Sequence, residues 1–152
     1  MIIRTAQPVD IETLFDIRTS VRENYQSREE IAALGITQQS IADMLAIDCC
    51  AWIADINNCS VGFAIANRSD AAVFGLFVRP EYEGRGIGRV LLHIAEDWLF
   101  ARGHTEIWLV TGNEPMLRAY GFYLHMGWQP AGVVAAGDYA GEMKFIKQRP
   151  QT

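Results

Sequence analysis

Metal and disulfide ligands are scarce in this sequence. Three cysteines and three histidines are spread over 152 residues. Cys49 and Cys50 are adjacent and Cys59 stands alone, so the count is odd and no C-x-x-C occurs. Neighbouring cysteines rarely bridge, and these read as small apolar residues of a reducing compartment. His93, His104 and His125 lack zinc-ligand spacing. No apolar run approaches ~18 residues, the length that would argue for a membrane helix. Met1-Ile2-Ile3-Arg4 leads directly into patterned sequence without the layout of a signal peptide, so the expected location is the cytoplasm. Positive charge is also in deficit. With 13 bases against 18 acids, the formal net charge is −5. Bulk attraction to nucleic acid or to an anionic membrane is therefore not expected. Any anionic ligand must be held by a local device.

What is present describes a folded chain. Half of the residues are hydrophobic, a fifth are charged and 11% are aromatic, which excludes a disordered composition. The length fits one domain over 1–152, large enough to bury a core without disulfides.

The pattern along the chain is mixed. Ile2 to Ala6 reads as a strand ended by Pro8. Asp10 reads as the N-cap of a helix whose spacing runs through Leu14, Ile17, Arg18 and Val21. Ser27 and Glu30 form a capping box, and Gly35 ends the short helix that follows. Ser40 to Ile47 is a further helical segment. Trp52–Ala54 and Val61–Ile65 read as strands joined by an Asn-rich hairpin over Asp55–Ser60. Ala72–Val78 is near-continuously apolar, as in strands covered on both faces, and Gly75 suggests a bulge within it. Arg89–Arg102 has the clearest helical stripe: Val90, Leu91, Ile94, Ala95, Trp98 and Leu99, stopped by Gly103. A strand at Ile107–Val110, a helix at Met116–Met126, and strands near Trp128–Val134 and Glu142–Lys147 complete the chain. Most of the four tryptophans are expected in the core. The fold class is α+β, a mostly antiparallel sheet with one parallel crossover.

The informative segment is Glu83-Gly84-Arg85-Gly86-Ile87-Gly88-Arg89. A strand delivers the chain, and three alternating glycines open a long helix. Without Cβ atoms, such amides can converge on one anion. The helix N-terminus adds about half a positive charge. Together they form a pyrophosphate site. Spacing separates the candidate ligands. The dinucleotide fingerprint G-x-G-x-x-G fails, because the sixth position is Arg89 from Gly84 and Leu91 from Gly86. No acid ends a second strand ~20 residues later to hold a ribose. The phosphate loop of nucleotide hydrolases fails because no Gly-Lys-Ser/Thr follows. The pattern that remains is Q/R-x-x-G-x-G/A after a V-x-P turn, here Glu83-x-x-Gly86-x-Gly88.

This pattern resembles the GNAT N-acetyltransferase superfamily, in which the loop grips the pyrophosphate of acetyl-CoA. Phe122-Tyr123-Leu124-His125-Met126-Gly127-Trp128 matches that family's F-Y-x-x-x-G-F/W, and the two motifs fall in the family's order over nearly the whole chain. One departure is Glu83, an acid where the family has Gln or Arg. Its side chain is expected to turn away or to bond backbone amides, with Arg85 and Arg89 supplying the cationic groups. The resemblance implies helices on both faces of the sheet and a splay at the parallel pair. It also implies that the backbone of Leu76, Phe77 and Val78 pairs with the pantetheine arm, and that Glu83, Gly84, Arg85, Gly86, Ile87, Gly88 and Arg89 complete the cofactor site.

The implied reaction is attack of a primary amine, on a small molecule or a peptide, at the thioester. A lysine-like amine is neutral in only about one molecule in 2,500 at pH 7, so a base or a desolvated pocket is required. The departing thiolate needs a proton, and Tyr123 is the implied donor. Transfer from a phenol is uphill by about 2 kcal/mol. Tyr120 and Tyr139 are rivals for that role. No base can be named, because Ala72–Val78 carries no acid. Glu29, Glu30, Glu106 and Glu114 read as solvated, and ordered water is an equal candidate. Arg22–Tyr25 and Gly137–Tyr139 are suited to line an acceptor pocket. The alternative to an enzyme is a non-catalytic acyl-CoA-binding module. No metal is expected, and exposed terminal strands leave room for a homodimer.

Overall fold

The computed structural model describes residues 1–151. The strands are β1 (Ile2–Thr5), β2 (Cys49–Ile56), β3 (Cys59–Asn67), β4 (Ala72–Val78), β5 (Glu106–Thr111), β6 (Gln129–Val133) and β7 (Met143–Gln148). The helices are α1 (Ile11–Arg18), α2 (Arg28–Ala33), α3 (Gln38–Ile47), α4 (Ile87–Ala101) and α5 (Arg118–His125). One sheet runs in the order β1-β2-β3-β4-β5-β7-β6. Every neighbouring pair is antiparallel except β4–β5. This is the α+β architecture expected from the sequence.

Two apolar clusters cover opposite faces of the sheet. Ala51, Ile53, Phe63 and Ile65 join Ile11, Leu14, Phe15 and Ile17 of α1 and Ile41 of α3 in one cluster. The alternate residues Trp52, Ala54, Ala64 and Ala66 join α4 and α5 in the other. The two-residue period of β2 and β3 thus divides the core between the faces. The β2–β3 turn uses Asn57 and Asn58, both with positive φ (50° and 65°), the conformation of a two-residue hairpin turn. Trp52 and Trp128 are buried, whereas Trp98 and Trp108 are half-buried.

Three expectations need correction. Asp10 precedes α1 but makes no side-chain cap to it. Its carboxylate accepts from the Gln7 amide at 2.8 Å and from Arg4 at 2.9 Å, closing the short turn Pro8–Asp10 instead. The stronger partner is the cation, not the helix dipole. Second, α4 begins at Ile87, two residues before Arg89, and its buried stripe is centred on Leu91, Ala95 and Leu99 with Ile87, Leu92, Glu96 and Phe100. Val90 and Ile94 are only half-buried. Third, β4 is not covered along its whole length. Ala72 and Val73 are buried, but Phe74–Val78 are partly open. Their apolar character serves an open cleft rather than a closed core.

That cleft arises from the splay of β4 and β5. Their ladder is confined to Ala72 opposite Trp108, with Trp108 N donating to the Ala71 carbonyl at 3.0 Å. On its other edge, β4 pairs with β3 up to Val78. Register shifts because Ile65 opposes Gly75 and Ala66 opposes Val73, leaving Phe74 as the bulged residue. The added twist of a bulge helps separate the strands.

Candidate functional site

A cleft of about 1500 Å³ opens where the strands part. It exceeds the ~300–1,000 Å³ of a drug-sized pocket, as a long cofactor plus an acceptor would require. Its floor includes Leu76, Phe77 and Val78 of β4 and Leu109–Thr111 of β5. Beyond Ala72 the β4 edge facing β5 has no strand partner, so its backbone groups are available to an extended ligand.

The glycine loop lines the same cleft. Glu83, Gly84, Gly86, Ile87, Gly88 and Arg89 all contribute to its wall. The Glu83 amide is taken by the Pro80 carbonyl at 3.3 Å. The next bond of this kind is the first of the helix, from Val90 N to the Gly86 carbonyl at 3.2 Å. Among the described residues, the six amides of residues 84–89 have no protein acceptor. Gly86 caps the helix at φ 81°, ψ 6°, a left-handed conformation costly to a residue with a Cβ. That conformation directs consecutive N–H groups to the same side as the helix dipole.

Cationic side chains divide differently from expectation. Arg89 lines the cleft and is exposed. Arg85 does not line it; its guanidinium lies 4.9 Å from the Tyr82 ring centroid and donates to the Glu81 carbonyl at 3.4 Å. The second cation on the cleft wall near the loop is Arg118, at the first turn of α5. Its Nε lies 3.5 Å from Glu83 Oε2. Glu83 thus neither turns away nor bonds amides but pairs with this arginine. Sequence reading missed Arg118 because the pairing depends on α5 returning over the loop.

The Tyr123 ring is 7% exposed and lines the cleft. It packs edge-on to Phe122 and Trp128, with centroids at 5.3 and 6.1 Å, and against Phe145 at 5.9 Å. Burial pushes its phenol well above the usual value, so the hydroxyl keeps its proton at any neutral pH. Tyr120 packs on Phe145 at 5.0 Å and does not line the cleft. Tyr139 does line it, and burial and the charges of Glu142 and Asp138 raise its phenol as well.

The remaining acids sort by position. Glu30 reaches the cleft wall, but its carboxylate accepts from the Ser27 amide at 3.1 Å, completing the expected capping box. Glu29, Glu106 and Glu114 are exposed and do not line the cleft. Glu142, immediately before β7, was not singled out by sequence. It lines the cleft, is half-buried, and its carboxyl is raised by desolvation against the opposing effect of Arg18. Arg22–Tyr25 and Asp138–Tyr139 also line the cleft, as their polar-aromatic composition suggested.

The loop between α1 and α2 is tied to the far wall. Glu23 Oε2 accepts from the Arg118 amide at 2.9 Å, placing an acid at the α5 N-terminus. A Cβ added at Gly112 would stand 2.5 Å from Leu117 Cδ1 and 3.0 Å from Asn24 Oδ1, so a larger residue here would make those side chains shift. All three cysteines are free, and burial pushes the Cys49 thiol up to about 12. Among the described residues no helix is long and apolar enough to cross a membrane, and no cluster of three metal-ligating side chains occurs.

Known proteins resemble this chain in sequence and in fold. An uncharacterized N-acetyltransferase of Methanocaldococcus jannaschii is 29% identical over 108 residues, 64% of this chain and 44% of that protein. N-acetyltransferase family 8 member 2 of Rattus norvegicus is 30% identical over 89 residues, 53% of this chain and 39% of that protein. The chain thus matches less than half the length of these curated relatives. The fold is that of the PaiA N-acetyltransferase of Thermoplasma acidophilum, solved with coenzyme A. The TM-score is 0.77 at 18% identity, covering 98% of this chain and all of that one. The model of the acetyltransferase (GNAT) family matches residues 11–128, well over half of the sequence, and the chain belongs to that family.

Proposed function

We propose that the protein is an acetyl-CoA-dependent N-acetyltransferase that acylates a primary amine. The observation that carries this reading is the row of six unpaired amides at residues 84–89, in a loop of which all but Arg85 line the cleft that also holds Tyr123. Loop and phenol belong to different elements, so one cleft that serves both can bind a cofactor at one point and act on it at another.

In this reading the diphosphate takes the amides of Gly84–Arg89, with Arg89 adding charge. Glu83, already neutralised by Arg118, does not repel it. The pantetheine arm extends along the open edge of Leu76–Val78, which completes β4 as an added strand would. Acetyl-CoA supplies an activated acyl group. A neutral amine, on a small molecule or a peptide, attacks its carbonyl carbon. The C–N bond forms, the C–S bond breaks, and Tyr123 gives its proton to the departing thiolate. The raised phenol does not prevent this transfer. Desolvation disfavours a thiolate as it disfavours a phenolate, so the same burial that raises the donor also favours protonation of the leaving sulfur. Positioned proton transfer contributes ~10²–10⁴-fold.

The test combines calorimetry and turnover. Coenzyme A should bind, and acetyl-CoA should release free thiol in the presence of an amine. Tyr123→Phe should retain cofactor affinity and lose turnover. Acetyl-CoA binding with no thiol release across amino acids, peptides, polyamines and aminoglycosides would overturn catalysis.

A further inference from the structure

A half-buried arginine in the cleft wall bears on the acceptor, and the inference rests on the acetyltransferase reading above. Arg18 ends α1 with its guanidinium 4.4 Å from the Phe77 ring centroid. Its Nη2 donates to the Asn24 carbonyl at 3.2 Å and to Gln26 Oε1 at 3.0 Å. Its Nη1 is buried with no hydrogen-bond partner, the only buried side-chain nitrogen or oxygen in that state among the described residues. A buried donor atom without a partner is costly, and native structures rarely keep one. Phe77 lies on the strand assigned to the pantetheine arm, and Arg18 lines the same cleft as that strand and Tyr123.

Glu142 is the complementary case. It lines the same cleft, is half-buried and bonds no side-chain donor among the described residues. Arg18 and Glu142 influence each other electrostatically, yet they form no ion pair within 4 Å. The other titratable groups on Glu142's side are Asp138 and Tyr139. Two opposite charges that share a cleft without touching leave a place for a ligand with the opposite order of charges.

We propose that the acceptor is zwitterionic, an amine on a molecule that also carries a carboxylate, with Arg18 holding the carboxylate and Glu142 receiving the ammonium. The carboxylate takes Nη1 and Nη2 as a fork, exchanging the neutral Gln26 oxygen for a charged two-oxygen partner. Glu142 accepts one proton from the ammonium. The neutral amine then attacks the thioester carbonyl, and Tyr123 protonates the sulfur as the C–S bond breaks. The tyrosinate recovers its proton from the acylated nitrogen, and Glu142 releases its proton to solvent. The balance is ammonium plus thioester giving amide, thiol and one proton.

The experiment offers each free amino acid beside its own carboxamide to protein saturated with acetyl-CoA, reading thiol release and, with coenzyme A in place of acetyl-CoA, thermal stability. At least one free acid should exceed its amide by about 10–100-fold in kcat/KM, the range for a charged hydrogen-bonded pair. Arg18→Gln should erase that preference while leaving coenzyme A affinity unchanged. Should Arg18→Gln not fold, Arg18→Lys, which keeps the charge and loses the fork, should still diminish it. Glu142→Gln should depress turnover of acid and amide alike. Amides accepted as well as acids would overturn the proposal while leaving the acetyltransferase reading intact. So would a preference unchanged in the Arg18 variant, or no acid turned over or stabilising the loaded protein better than its amide. Failure of coenzyme A to bind at all would remove the acetyltransferase reading and this inference with it.

Discussion

Glu83 Oε2 and Arg118 Nε stand 3.5 Å apart, an acid of the glycine loop held by a cation from the start of α5. Both side chains are substantially exposed, so the pair contributes little to stability. Its consequence is electrostatic: it cancels the negative charge beside the amides of residues 84–89. Arg118→Ala should weaken coenzyme A binding by roughly 5–20-fold, more at low salt than at high salt. Glu83→Gln should leave the affinity equal or tighter. Calorimetric titrations at two ionic strengths check both.

The left-handed cap at Gly86 gives a second prediction. Gly86→Ala places a Cβ at φ 81°, which costs about 1–2 kcal/mol of stability. It also brings that carbon 3.7 Å from Arg89 Nη2. Thermal unfolding should report a lower Tm, and coenzyme A affinity should fall more than the stability loss alone explains.

Removing the Tyr123 hydroxyl should separate chemistry from binding. Tyr123→Phe keeps the ring packing on Phe122, Trp128 and Phe145. The expected outcome is a kcat lower by about 10²-fold or more with unchanged coenzyme A affinity. Because burial raises the phenol, the wild-type rate should show no alkaline limb from Tyr123 below its usual pKa of ~10. The acid limb should belong to Glu142. Desolvation raises its carboxyl, opposed by Arg18, so activity should begin to fall above the ordinary carboxylate range as the pH drops. Glu142→Gln should flatten that limb.

The β1–α1 corner should set part of the acid stability. A hydrogen bond from Arg4 holds the Asp10 carboxyl below its usual value. Burial works against the Asp55 carboxylate, but its bonds from Ser60 and Arg4 prevail and lower it too. Both acids are depressed in the fold, so their stabilisation is present above the unfolded pKa of ~3.9 and is lost as pH falls through the folded value. Asp55→Asn should reduce stability at neutral pH by about 1 kcal/mol and show a shallower loss below pH ~4. Chemical denaturation across that range measures it.

Glu96 supplies a test of the fold itself. It is 3% exposed, accepting from Trp128 Nε1 at 2.8 Å and from Lys147 Nζ at 3.0 Å. One carboxylate therefore ties α4 to the residue before β6 and to β7. Lys147→Met, which strips its cation and leaves the charge buried, should cost about 3–5 kcal/mol, read as a large drop in the denaturation midpoint.

Local chemistry made part of this legible in the sequence. The glycine loop, the Ser27–Glu30 box, the Asn57–Asn58 turn and the stop at Gly103 are short-range signals, and each appears where its residues require it. The cleft-lining place of Tyr123 was readable because its spacing to Gly127 and Trp128 resembles a family pattern, whereas its pairing with the loop is a tertiary fact. Arg18 and Glu142 come to share a cleft, and Glu83 meets Arg118, only after the sheet has formed, so no spacing announces either relation. Asp10 carries a good capping residue's chemistry, yet Arg4 of the preceding strand competes for it. Glu96 reads as the polar edge of α4, but Trp128 and Lys147 arrive to satisfy it and allow it inside.

The most direct measurement follows the backbone amide resonances of residues 84–89 and 76–78 during a titration with coenzyme A. The expected result is that Gly84, Gly86 and Gly88 shift at the same ligand concentration as Leu76–Val78, with the Tyr123 ring responding to the acetylated cofactor. Binding of coenzyme A that leaves the amides of residues 84–89 unmoved would contradict the assignment of this loop as the diphosphate site.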